Sequence, residues 1–159
     1  LRIKKPTYIR LGKKGEPILN KNNSKFKIGK GIFLKRGKDI ALISVGNVLP
    51  VVLEAEKIFS EKKISTSVIN LHTVKPIDEH LLKKIFIEYK KIIVVEEHGL
   101  AGGVGSAILE WGNKNKLNLQ KLICLGAPDK FLTSCGNQNE ARHSIGLTAK
   151  EIFNKFKKH

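Results

Sequence analysis

The 159 residues contain no methionine, one tryptophan and two cysteines, and aromatic side chains make up only 6 % of the chain. Each scarcity excludes something. Two cysteines, Cys124 and Cys135, give neither a disulfide framework nor metal-ligand spacing, and their use fits a reducing, cytoplasmic setting. The five histidines show no H-x-x-x-H pair, so a metal centre is not expected. No apolar run approaches the roughly 18 residues of a membrane span. The opening "LRIKKPTYIR" has no apolar signal core, and Leu1 reads as a cut point within a longer chain. No serine or cysteine stands in a G-x-S-x-G elbow, which removes the commonest α/β nucleophile.

Acidic residues are scarce as well: 14 against 30 lysines and arginines, for a net charge of +16. The excess is localised. Residues 1–38 hold 13 of the cations and one acid, Glu16, while residues 39–159 hold 17 cations and 13 acids. A basic N-terminal segment suits nucleic acid, an acidic partner or a phosphorylated substrate, or is simply a solvated linker. Base stacking needs aromatics among the cations, and the segment offers only Tyr8, Phe26 and Phe33, so no nucleic-acid partner is expected.

With 41 % apolar residues the remainder is globular. "PTYIRL" (6–11) reads as a strand, and the Gly-, Asn- and Ser-rich stretch 12–25 as a linker. The compact domain is expected from 26 to 159. Ile32–Lys35 and Asp39–Val45 read as a hairpin turning at Arg36-Gly37-Lys38. The second of these strands is apolar at nearly every position, as in a strand covered on both faces. Asn47 is the expected N-cap of a helix running to Lys62. Further strands are expected at 64–71, 92–96 and 121–127, and further helices after Asp78, over 104–115 and over 148–159 with Thr148 as N-cap. Alternating strands and helices imply a mostly parallel sheet between helical layers.

"IIVVEEHGLAGGVGSAILEW" (92–111) concentrates the suggestive chemistry: Glu96, Glu97, His98 and a glycine loop at the carboxyl end of a parallel strand. Adjacent strand residues face opposite ways, so Glu96 and Glu97 do not form an acid–base pair on one substrate. The loop lacks the third glycine of G-x-G-x-x-G and follows a late strand, so tight packing is the expected role of Gly102, Gly103 and Gly105. A free-standing nucleotide or anion site at Gly102–Ser106 is the rival reading. Cys135, in "TSCGNQ", is either a reactive loop thiol or a plain small residue, the second being expected.

Four segments together, "GKDIALISVGNVLPVVLEAEKIF", "SVINLHTVKPID", "IIVVEEHGLAGGVGSAI" and "LGAPDKF…GLTAKEI", resemble in order and spacing the C-terminal domain of transketolase-type, thiamine-diphosphate-dependent enzymes. That family includes transketolase, deoxyxylulose-phosphate synthase and the β subunits of 2-oxo acid dehydrogenases. "PTYIRLGKKGEP" similarly resembles the closing strand of the pyrimidine-binding domain, so residues 1–25 would end that domain and its linker. The resemblance implies a three-layer α/β/α domain with a mixed, mostly parallel five-stranded sheet and one antiparallel edge strand. It implies a scaffold and dimerisation role, with Glu97, His98, Gly102, Gly103 and Gly105 forming a structural or interface loop. Thiamine diphosphate and a divalent metal would sit in the holoenzyme on pyrimidine- and diphosphate-binding domains, none being held by this piece alone. The assembly would be a homodimer or heterotetramer. Arg10 or Lys13 would match the arginine that holds a substrate phosphate, although a lysine lacks the guanidinium fork. "DKFLTSCGNQNEARHSIGL" has one more residue between Phe131 and Gly136 than the commoner pattern, as in small-subunit relatives of split enzymes.

Overall fold

The computed structural model describes residues 4–12, 17–19, 26–133 and 136–159. Five strands form one sheet in the order β1-β3-β2-β4-β5: β1 Ile32–Lys35, β2 Ile40–Val45, β3 Thr66–Asn70, β4 Lys91–Gly99 and β5 Leu122–Ala127. Helices α1 (Leu49–Glu61), α2 (Glu79–Glu88), α3 (Val104–Lys114), α4 (Gln138–Ser144) and α5 (Ala149–Lys157) complete it.

The nearly all-apolar sequence of β2, interrupted only by the buried Ser44, places it at the centre. It pairs in parallel with β3 on one side and β4 on the other, and Ile40, Ala41, Leu42 and Ile43 are all buried. Alternate residues feed opposite faces. Ala41 and Ile43 join Ile85, Phe86, Ile108 and Trp111 beneath α2 and α3. Ile40 and Leu42 join Val52, Phe59 and Ile152 beneath α1 and α5. Each fully buried Leu, Ile or Phe contributes about 1.5–3 kcal/mol, so two such layers stabilise a domain of this size. The expected three-layer α/β/α architecture is the one observed.

The hairpin is not. β1 runs antiparallel to β3, with Ile32 opposite Asn70 and Phe33 opposite Ile69, and does not touch β2. Both edges of β2 are taken by the parallel strands that the crossovers deliver, which leaves β1 the outer position. Arg36-Gly37-Lys38 is therefore a crossing under β3 rather than a tight turn. Gly37 donates its amide to Ser67 Oγ at 2.8 Å, and a Cβ there would lie 2.4 Å from the Thr66 carbonyl carbon. Only glycine passes.

Two other expectations fail locally. Asn47 is not a helix cap: a 3₁₀ turn, Gly46–Val48, precedes α1, whose N-cap is Val48 without a side-chain bond. Pro50 in the first turn needs no amide partner. Residues 6–11 form no strand and lie exposed, Tyr8 and Leu11 among them. A strand requires a neighbour for its amides, and no described segment supplies one.

The other caps follow the sequence. Asp78 Oδ1 accepts from the Leu81 amide at 3.2 Å, and Thr148 Oγ1 from the Glu151 amide at 3.3 Å. α4 was not anticipated. Asn137 and Glu140 close a reciprocal capping box at its start.

Candidate functional site

Four parallel strands deliver their carboxyl ends to one edge of the sheet, and the "EEHGLAGG" stretch lies there. β4 continues past Glu96 to Gly99, with an irregularity in its pairing to β5 between Val95 and Gly99. Glu96, 2 % exposed, turns inward beneath the first turn of α3. Its Oε2 accepts the Val104 amide at 2.7 Å and its Oε1 the Gly105 amide at 2.8 Å. A carboxylate thus satisfies two orphan amides and complements the positive end of the helix. These are the amides an incoming phosphate would use.

The glycines are explained by that cap. A Cβ on Gly103 would sit 2.5 Å from Glu96 Oε2, and one on Gly105 would sit 2.8 Å from Cys124 Sγ. Gly102 has φ of 73°, and its amide donates to Ser106 Oγ at 3.2 Å, which in turn donates to the Leu100 carbonyl at 2.6 Å. The loop is filled by its own chain.

Glu97 faces the other way. It pairs with Arg142 Nε and accepts from Gln138 Nε2 at 3.2 and 3.3 Å. Arg142 Nη2 also reaches the Asn47 carbonyl at 2.8 Å. One buried guanidinium therefore ties β4, α4 and the turn after β2 together. Sequence reasoning missed Arg142; its only forewarning was Asn137 and Glu140 at cap spacing, marking a helix that could carry it. His98 is exposed, its Nδ1 against the Gly99 carbonyl at 2.8 Å.

Asp78 at this edge is also engaged, whereas two buried polar atoms here, Ser44 Oγ at the end of β2 and His72 Nε2 just after β3, have no partner among the described residues. Asp78, 5 % exposed, accepts from Leu81 N, from Gly31 N at 3.1 Å and from Lys30 Nζ at 3.2 Å. Burial alone would raise its pKa; those amides and the ammonium outweigh burial and hold it below the usual carboxylate range. Burial pushes His72 below the ordinary imidazole value, opposed by the Lys30 backbone. Cys124 is pushed up to about 11 by burial and by the charge of Glu96, so its thiol stays protonated. Arg10 is exposed, well away in sequence from this network. Lys13 and Cys135 lie outside the described residues.

The arrangement fastens a helix and a tail to the end of a strand. Among the described residues no three His, Cys, Asp or Glu side chains converge to hold a metal ion. The α3 amides already carry a carboxylate, so these residues do not fit a metal-bound diphosphate.

Fold and site define an α/β domain with a self-capped glycine loop. Residues 29–152 match the family described as "Transketolase, C-terminal domain", and the chain belongs to that family. It is 35 % identical over 151 residues to a "Putative transketolase C-terminal section" of Methanocaldococcus jannaschii, covering 94 % of this chain and 46 % of that protein. With a 1-deoxy-D-xylulose-5-phosphate synthase of Halothermothrix orenii it shares 45 % identity over 114 residues, 72 % of this chain and 18 % of the synthase. A solved split-gene transketolase, an inactive β4 tetramer, superposes with a TM-score of 0.81 at 28 % identity, over 91 % of this chain and 46 % of that one. The chain thus spans less than half the length of these relatives.

Proposed function

We propose that this chain is the C-terminal scaffold domain of a transketolase-like, thiamine-diphosphate-dependent enzyme of the cytoplasm. The holoenzyme moves a two-carbon or acyl unit, and the chain is inactive alone. The carrying observation is that Glu96 and Glu97, the pair that most resembles an active site, are occupied in capping α3 and in holding Arg142. Bound thiamine diphosphate supplies the carbanion chemistry; the pyrimidine- and diphosphate-binding domains that hold it and its metal are other parts of the enzyme. Residues 1–25 close the pyrimidine-binding domain. The exposed side chains of Tyr8, Ile9 and Leu11 are suited to burial against that domain, and Arg10 and Lys13 would then face a substrate phosphate.

Reconstitution tests this reading. The chain is mixed with the separately expressed remainder of the enzyme, thiamine diphosphate and magnesium, and turnover of a ketose phosphate donor is followed. Activity from the mixture and from neither part alone is expected; activity of the remainder unaffected by this chain would contradict it. The 45 % identity to a deoxyxylulose-phosphate synthase favours a second reading of the subfamily. A 2-oxo acid donor used in preference to a ketose would select it.

A further inference from the structure

The opposite edge of the sheet, where the four parallel strands begin and α1, α2, α3 and α5 end, has different chemistry. Hydrogen bonds join its turns into one surface. Lys38 N donates to Ser65 Oγ at 3.1 Å, Ser65 N to Asp39 Oδ2 at 3.2 Å and Lys90 N to the Asp39 carbonyl at 3.0 Å. Lys91 Nζ reaches the carbonyls of Gln120 and His159 at 3.4 and 3.1 Å, and Lys121 Nζ those of Phe86 and Tyr89, each at 3.1 Å. The surface spans both helical layers, since α1 and α5 end on one face of the sheet and α2 and α3 on the other.

Residues 38–39, 61–65, 88–91, 114–121 and 157–159 carry ten lysines against three acids, and eight of those lysines are exposed. Two of the acids, Asp39 and Glu88, already pair with Lys90 and Lys84. Elsewhere between 39 and 159 eight cations meet ten acids, so the excess is confined to this end. Helix macrodipoles do not account for it, because four carboxyl termini amount to about two negative charges. None of these turns carries an exposed large apolar side chain.

That composition selects the partner. Protein interfaces bury aromatic and apolar anchors and are poor in lysine, and single-stranded nucleic acid needs aromatic platforms. These turns expose no Phe, Tyr or Trp. Five strands about 4.8 Å apart between two helical layers make a blunt end of roughly 20 by 30 Å. A duplex would meet one stripe of it, whereas a plane of phosphate headgroups meets all of it. We propose that this end face docks, by charge alone, on a bilayer surface of anionic phospholipids. The negative potential of such a surface holds clustered lysines without insertion of any side chain, and the attraction weakens as salt rises. The inference rests on the charges of this domain and is independent of the proposed holoenzyme.

The test is co-sedimentation of the full chain with large vesicles of phosphatidylcholine, either pure or with about one third phosphatidylglycerol to give a negative surface potential. Saturable binding to the anionic vesicles, released by high salt, and none to pure phosphatidylcholine are expected. Combining Lys62→Gln, Lys114→Gln, Lys157→Gln and Lys158→Gln should weaken binding by about fivefold for each charge, roughly five-hundredfold together. These positions avoid Lys63 and Lys116, whose φ of 59° and 56° constrain the backbone. A matched variant, Lys4→Gln, Lys5→Gln, Lys27→Gln and Lys83→Gln, removes the same charge away from the edge and should bind nearly as well as the unaltered chain. Thermal unfolding followed by circular dichroism verifies that both variants fold. Equal losses in the two variants, binding to pure phosphatidylcholine, or an edge variant that loses affinity for a short DNA duplex but not for the vesicles would overturn the proposal.

Discussion

Glu96 illustrates how a residue that looks catalytic can be consumed by the backbone. Its two oxygens answer two buried amides, and an unanswered buried donor costs about 1–3 kcal/mol. Glu96→Ala should therefore lower the unfolding free energy in urea by about 2–4 kcal/mol. Glu96→Gln, which keeps one acceptor, should cost clearly less. Gly105→Ala adds a methyl 2.8 Å from Cys124 Sγ and should cost about 1–3 kcal/mol through overpacking. Cys124 offers a chemical check. With its pKa raised to about 11, it should resist a thiol reagent at pH 8 in a Cys135→Ser background and react freely once urea unfolds the chain. Rapid labelling of the folded protein would refute the half-buried, protonated thiol.

At the scale of elements, caps and crossings decide what packs where. Asp78 caps α2 and anchors the chain at Lys30 and Gly31 as it enters β1. Its folded pKa is depressed below 3.8, so the stability it contributes is present above about pH 4 and is lost as pH falls through the folded pKa. Acid unfolding followed by circular dichroism should show this loss, and Asp78→Asn should flatten the acid limb while lowering stability at neutral pH. Arg142→Ala should free α4: hydrogen exchange at 138–145 should rise while the central strands stay protected. Caps at Asp78 and Thr148 were legible because donor and acceptor lie three residues apart, as was β2, which is apolar at nearly every position and so demands two covered faces. The partner of β1 was not legible. A glycine between two short strands looks the same whether it turns a hairpin or slips beneath a third strand. Nor was the pairing of Glu97 with Arg142, 45 positions apart in the chain, because no local rule reaches that far.

For the whole molecule, the two edges of the sheet have opposite characters. At the carboxyl edge Glu96 and Glu97 are committed to the α3 amides and to Arg142, so the helix terminus where α/β domains commonly bind anions is occupied by the protein itself. At the amino edge the cations outnumber the acids. The glycine-loop motif was legible from sequence, yet its role followed only once the Glu96 carboxylate was seen among the helix amides. The chain is a member of the transketolase C-terminal domain family, and the role proposed for it is to support chemistry carried out by other parts of an enzyme.

Calorimetric titration of thiamine diphosphate with magnesium into the isolated chain addresses that claim most directly. The account predicts no saturable uptake that depends on both cofactor and metal, and unchanged behaviour in Glu96→Gln. Stoichiometric, metal-dependent binding abolished by changing Glu96 or Glu97 would show that the site is a cofactor cradle and would contradict it.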